Sequence, residues 1–292
     1  MKNKIIKFVD NLEGKNRLVF YFVIILLCII SLSLGIYGQF FYKYSKTDPL
    51  MIGINIGSKK TAEEYALLKN NFENLFTNEL KENSQDSNKS KAKKQDDQNP
   101  IVYTAYNLVN ADETYYDVDA QIPILNINSD VAKDINAEIK DEFYNKVNSV
   151  MRQTEGNTIY KVSYAAYLNS DVVSIVIKAS LKEEGQSEKV SVKTYNYSIS
   201  NEKLLTLDEL ILLKETTNEA VQKSINEEIQ KVSKNLEVIA SEYGTVYERN
   251  VESDIYKVDS AETYFLTDDG YVYIVYAYGN KEYTNEMDIV IF

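Results

Sequence analysis

The strongest constraint on this chain is an uncharged, almost wholly apolar run near its N-terminus, residues 18–42. As a helix, 25 residues would extend about 37 Å, which exceeds the roughly 30 Å hydrocarbon core of a bilayer. Five basic residues precede the run, whereas the fifteen residues after it contain two, Lys43 and Lys46. The positive-inside rule therefore predicts a single-pass membrane helix at 18–42, with residues 1–17 cytoplasmic and the C-terminal bulk extracytoplasmic.

Three other interpretations of the run fit less well. A cleaved signal peptide usually has an apolar region of about 7–15 residues, which is shorter. A lipoprotein would need a small residue before its cysteine, but Leu27 precedes Cys28. A buried core helix would not account for the basic residues in front of an N-terminal apolar run. We therefore expect an uncleaved anchor in the cell membrane, with the lipid bilayer as a partner.

Composition excludes several kinds of active site. The 292 residues include no histidine and one cysteine. Histidine-dependent catalytic triads, histidine metal sites, intrachain disulfides and cysteine-rich zinc sites are therefore ruled out. We expect no enzyme activity and no cofactor.

Charge is unevenly distributed along the chain. The first 42 residues hold five of the 32 basic and two of the 44 acidic side chains, so the remainder has 27 and 42, a net charge of −15. Nucleic-acid binding depends on basic patches and is not expected. The simplest explanation of the acidic surface is solubility, although it would also attract a cationic partner at the cell surface.

Residues 43–100 are predicted to form a juxtamembrane helix followed by a flexible linker. Thr61 and Glu64 fit a capping box, and apolar side chains recur at helical spacing through about Leu80. Residues 83–100 contain no aliphatic side chain larger than alanine, which is typical of a linker that cannot bury enough apolar area to become ordered.

From residue 101 onward, strand-like and helix-like patterns follow one another. Alternating runs predict strands at 101–109 and 113–122, and apolar residues four apart predict a helix capped by Asp130. Three more strand-like runs, separated by turn signals, predict an antiparallel meander; they are residues 158–167, 172–181 and 189–198.

The last ninety residues contain two further capping boxes, Thr206 to Glu209 and Thr216 to Glu219. The second predicts a helix through Leu236, followed by an irregular stretch at 239–260. Asp269-Gly270 is a hairpin signal ahead of the final strands. The order of strands, helix, strands, helix and strands predicts an α+β fold with a mainly antiparallel sheet and packed helices.

Several segments resemble known extracytoplasmic domains. An extended run ending near a proline, followed by a helix containing Ile135-Asn136, resembles the domain that precedes the catalytic part of PdaC-type cell-wall deacetylases. Later segments resemble the C-terminal domain of RsiV-type anti-sigma factors. The matching segments are 117–125, 131–139, 195–199, 204–210 and 264–278. The resemblance implies a PdaC-like domain at 101–200 and an RsiV-like domain at 201–292.

This resemblance implies a sensor or binding ectodomain that recognises lysozyme or another cell-envelope component. Lysozymes of that kind are basic, in agreement with the net charge of −15. Two departures matter. Only 17 residues precede the apolar run, which is short for an anti-sigma domain, and no histidine is present for a deacetylase metal site. The alternative is therefore a non-catalytic cell-envelope accessory protein, touching peptidoglycan, with no anti-sigma activity.

The predicted ligand-binding residues lie near the C-terminus. In the family, a tyrosine, a short loop, a proline and a second tyrosine precede the final strand. Tyr278 and Tyr283 match the tyrosines, and Glu282 stands where the proline is expected. The polar segment 279–286 joins two strands and is expected to be exposed, with Tyr283 as the anchor and Glu282 as a rim charge. Acidic pairs elsewhere, such as Asp117 with Asp119, are interpreted as solvated.

Overall fold

The computed structural model describes Leu68 and residues 71–82, 93–243, 246–282 and 285–292. The predicted cytoplasmic segment 1–17 and membrane helix 18–42 lie outside these residues, as do the predicted capping box at Thr61 and part of the predicted linker. Among the described helices, none is both long and apolar enough to cross a membrane.

The larger of two sheets has seven strands. They are β1 (Leu80–Glu82), β2 (Val102–Asp112), β3 (Tyr116–Leu125), β4 (Thr158–Asn169), β5 (Val172–Glu183), β6 (Lys189–Ser198) and β7 (Lys203–Leu204). Their order is β2-β3-β4-β5-β6-β7, with β1 beside β4. Strands β4, β5 and β6 form the predicted antiparallel meander, whereas β1 and β3 both run parallel to β4. The α+β fold with a mainly antiparallel sheet is confirmed.

The helix expected to continue to Leu80 does not do so. Phe72–Leu75 is a short 3-10 helix, and Leu80–Glu82 is strand β1. Asn78 interrupts the helical pattern because it adopts a left-handed conformation, with φ of 59°. Its side-chain oxygen accepts a hydrogen bond from the Tyr164 amide at 2.9 Å, which aligns β1 with β4. From Phe72 onward, the predicted helical stripe is therefore replaced by a short 3-10 helix, a turn and strand β1.

Two helices pack on one face of this sheet, α1 (Asp130–Ile139) and α2 (Asn145–Val150). A π-helical turn, Lys140–Tyr144, joins them. The predicted apolar ladder continues through this turn, and its buried members pack in the core with β4 and β5; they are Ile135, Ile139, Phe143 and Val147. The N-cap is Ser129 and not Asp130 as predicted, because the Ala132 amide donates to Ser129 Oγ at 3.1 Å.

The amide of Asn136 explains one of the family-like motifs. Its Nδ2 donates to the Leu125 carbonyl at 2.9 Å, and its Oδ1 accepts from the Leu125 amide at 2.8 Å. One side chain on α1 thus satisfies both backbone groups at the end of β3. The motif residue therefore has a structural role, since it ties the helix to the strand.

The smaller sheet has the order β10-β9-β8 and is antiparallel. Its strands are β8 (Tyr264–Leu266), β9 (Val272–Ala277) and β10 (Met287–Ile291). Gly270 has φ of +86° in the β8–β9 turn, as the hairpin signal predicted. The small sheet lies against the large one, where the Leu266 amide donates to Ser174 Oγ at 3.1 Å and Asn196 Nδ2 donates to the Tyr264 carbonyl at 2.8 Å.

Helices α3 (Leu207–Leu213) and α4 (Asn218–Tyr243) complete this part. The capping box at Thr206 and Glu209 forms as predicted. At α4 the Ala220 amide donates to the Thr217 hydroxyl at 3.2 Å, so Thr217 provides the cap in place of Thr216. The helix also runs past Leu236 to Tyr243, which shortens the stretch predicted to be irregular. Val221, Ile225 and Ile229 bury its apolar face with the small sheet.

Candidate functional site

The predicted contact residue Tyr278 follows β9 and is 2% exposed. Its hydroxyl donates to Asp288 Oδ2 at 2.7 Å and lies 2.9 Å from the Tyr256 hydroxyl. Burial raises the pKa of Tyr278 well above its usual range, and the negative charge of Asp288 raises it further. Tyr278 therefore anchors the start of the following segment. Its direct contact with a ligand stays a prediction, and a buried ring has little surface to offer one.

Arg249 is the central charge of this region and was not among the predicted site residues. It is 5% exposed, its Nε donates to Asp288 Oδ2 at 2.9 Å, and it forms a second ion pair with Glu286. Burial alone would lower the pKa of Arg249, but hydrogen bonds and charge from Asp288 and Glu286 raise it above its ordinary value. The guanidinium is thus permanently charged and has two carboxylate partners.

Aromatic contacts surround this ion pair. The rings of Tyr247 and Tyr278 stack with centroids 4.1 Å apart, and Arg249 Cζ lies 4.7 Å from the Tyr278 centroid, a cation–π distance. We refer to the residues that make these bonds as the arginine cluster: Tyr247, Arg249, Tyr256, Tyr278, Glu286 and Asp288.

The arginine cluster lies at the base of segment 279–286. The Tyr278 amide donates to the Glu286 carbonyl at 3.0 Å, which brings the two ends of the segment together. Glu286 also accepts from the Tyr247 amide at 2.9 Å through its carboxylate. Gly279–Glu282 forms a single helical turn, here α5, instead of an irregular loop. Glu282 thus lies on α5, while its side chain and Tyr283 lie outside the described part of the chain.

The chemistry of the arginine cluster suits positioning better than catalysis. Arg249 forms ion pairs with both Glu286 and Asp288. Burial raises the pKa of Tyr256 to about 12, so its phenol stays protonated at neutral pH. A neighbouring cavity of about 80 Å³, lined in part by Tyr278 and Asn280, is far smaller than ligand pockets of roughly 300 Å³ or more. This cavity is therefore too small to serve as an ordinary ligand pocket.

The acidic pair Asp117 and Asp119 is placed as predicted for solvated groups, since both side chains are exposed on β3. Within the described residues, no three Cys, Asp or Glu side chains approach closely enough to hold a metal ion.

One signal for the arginine cluster was present in the sequence. Asp288 is an acidic residue inside an otherwise apolar strand, and a buried charge of this kind requires a partner.

No protein-family profile matches the chain, and no curated protein matches it in sequence. Its structural neighbours include DUF3298 family proteins. One, from Pseudomonas aeruginosa PAO1, is 12% identical with a TM-score of 0.37, covering 62% of this chain and 83% of its own. Another, from Bacteroides fragilis, is 11% identical with a TM-score of 0.35, covering 60% and 80%.

Proposed function

We propose that this chain is a membrane-anchored, extracytoplasmic ligand-binding protein without catalytic activity, and that segment 279–286 contacts a basic protein such as lysozyme. The observation that carries the proposal is the arginine cluster, which holds both ends of a polar surface segment on two strands. Contact segments on a rigid support lose less conformational freedom on binding, which favours affinity.

Charge supports a basic partner. Residues 43–292 carry a net charge of −15, which would attract a cationic protein and speed its association. The only arginine of the cluster is neutralised by Glu286 and Asp288, so it adds no positive field of its own. By resemblance to RsiV-type proteins, the role would be that of a sensor. The membrane anchor rests on the apolar run 18–42 and its basic flank.

The test is a titration of the full chain, in nanodiscs of neutral lipid, with lysozyme at low and high salt. Tyr283→Ala should weaken the free energy of lysozyme binding by about 2 kcal/mol or more, if the Tyr283 ring is the buried anchor. Glu282→Lys should mainly slow association, with an effect that shrinks as salt rises. Asp117→Lys is a matched control that makes the same charge change on β3 of the larger sheet.

Two results would remove the lysozyme proposal. One is the absence of binding up to about 100 µM, which is weaker than most specific complexes. The other is equal weakening by Glu282→Lys and Asp117→Lys, which would show attraction to the overall charge alone. Either result would favour a cell-envelope accessory protein that contacts peptidoglycan.

A further inference from the structure

A second candidate site is a groove of about 630 Å³ along the first turns of α4, a volume typical of ligand-binding clefts. One wall carries carboxamides spaced four residues apart on a single line of the helix. These are Asn218, Gln222, Asn226 and Gln230. The opposite wall is formed by residues 251–259, where the half-buried Val251 supplies apolar surface and Val258 is buried.

Gln222 sets the position of one wall relative to the other. Its Nε2 donates to the Tyr256 carbonyl at 2.9 Å, and its Oε1 accepts from the Val258 amide at 2.9 Å. Gln222 Nε2 also donates to Asn226 Oδ1 at 2.8 Å, which orients the next carboxamide. These bonds fix residues 256–258 against α4, so a ligand would enter a preformed site.

The chemistry of the groove is polar and anionic. Four carboxylates and two ammonium groups line it: Glu219, Glu227, Glu252, Asp259, Lys223 and Lys257. Asn226 and Gln230 are exposed, and the Asn226 amide nitrogen and the whole Gln230 carboxamide make no hydrogen bond among the described residues. These groups can pair with a peptide backbone, while the excess carboxylates can pair with cationic side chains.

We infer that this groove binds an extended polypeptide segment containing lysine or arginine. The backbone of such a segment would hydrogen-bond to Asn226 and Gln230. Its aliphatic stems would lie on Val251, and its charged ends would reach Glu252 and Asp259. A glycan fits less well, because no aromatic ring among the described residues lines the groove for a sugar to pack on. The inference does not depend on segment 279–286 or on lysozyme.

The experiment uses the full chain in nanodiscs of neutral lipid and a fluorescent peptide of alternating lysine and serine, eight residues long. Fluorescence anisotropy should show saturable binding to the parent chain and none for the matching glutamate–serine peptide. The double variant Glu252→Lys/Asp259→Lys should weaken binding tenfold or more. The matched control, Asp117→Lys/Asp119→Lys on β3, should weaken it less than twofold at the same salt.

A second variant separates hydrogen bonding from charge. Asn226→Leu should weaken peptide binding several-fold without changing its dependence on salt, because it removes a neutral partner. Circular dichroism checks that each variant folds. Equal weakening by both double variants, displacement of the peptide by chitotetraose, or no saturable binding would overturn the inference. Lysozyme binding tests the proposed function separately. That function stands if lysozyme still binds Glu252→Lys/Asp259→Lys but no longer binds Tyr283→Ala. The groove is then tested by the peptide measurements alone.

Discussion

At the scale of single residues, Arg249 shows how a buried charge is tolerated. The guanidinium forms ion pairs with both Asp288 and Glu286. Arg249 Nη1 also donates to the Tyr247 carbonyl at 2.7 Å, and the Tyr278 hydroxyl donates to Asp288. Removing one charged member would leave the remaining charges without a counter-charge. This costs more free energy of folding than replacing the whole group with apolar side chains. The stability of segment 279–286 should therefore depend on this one side chain.

We expect Arg249→Met to lower the free energy of unfolding by about 3–5 kcal/mol, because Asp288 and Glu286 lose their counter-charge. Urea denaturation of the variant and parent measures the change. Lys133→Met removes the exposed ion pair with Asp130 and serves as a control that should leave the midpoint unchanged. Combining Arg249→Met with Asp288→Asn should restore part of the loss. An unchanged midpoint in Arg249→Met would show that the cluster does not hold the segment.

Tyr256 should make stability sensitive to alkaline pH. Its pKa in the folded chain is about 12, whereas the pKa of an unfolded tyrosine is about 10. Between these values the folded chain retains a proton that the unfolded chain has lost, so stability falls as pH rises through this window. Tyr256→Phe should reduce the fall in urea midpoint between about pH 9 and pH 11. Tyr103→Phe, on β2, controls for loss of a hydroxyl, and an equal fall in all three proteins would contradict the prediction.

At the scale of elements, mutations at the start of α1 can show whether Ser129 or Asp130 is its N-cap. Ser129 accepts from the Ala132 amide and also hydrogen-bonds to the buried Tyr197 hydroxyl at 2.9 Å. Ser129→Ala should cost about 1 kcal/mol or more, as N-cap losses do. Asp130→Ala, one residue later and exposed, should have a much smaller effect in the same thermal or urea measurement. A larger effect from Asp130→Ala would support the cap predicted from sequence.

Sequence patterns predicted most elements from residue 101 onward because their signals are local. Alternation located β4, β5 and β6, and the Thr206–Glu209 capping box located the start of α3. Strand β1 was missed because it is three residues long and is positioned by Asn78 against Tyr164, 86 residues away. No local pattern encodes such a pairing, and the helical spacing around it pointed to the wrong element.

The candidate site, too, was predicted only in part from the sequence. Tyr278 was identified from a resemblance, but the structure adds the reason it is fixed, a bond to Asp288. Arg249 was missed because it lies in a polar stretch and reaches a strand 39 residues later. The groove along α4 was also missed, since the sequence shows the amide spacing but not the residues 251–259 that face it. The spacing of residues along the sequence does not reveal contacts between segments that are distant in the chain.

At the scale of the whole molecule, the two proposals place recognition on the C-terminal half, whereas residues 102–198 supply most of the larger sheet. The membrane proposal makes a separate prediction about topology. Protease added to intact, wall-stripped cells should release a soluble fragment that retains the C-terminus, because residues 43–292 are proposed to lie outside the cell. A control with cytoplasmic marker protein confirms that the cells are intact. Protection of the C-terminal half until lysis would contradict this orientation.

The central claim is that a basic protein contacts segment 279–286 above the arginine cluster. Hydrogen–deuterium exchange of the full chain in nanodiscs, with and without saturating lysozyme, tests it most directly. We predict slower exchange in peptides covering 279–286 and no change in the β2–β3 hairpin, whose exposed acidic residues act as an internal control. Unchanged exchange at 279–286 under saturating lysozyme, or slowing confined to the β2–β3 hairpin, would contradict the account.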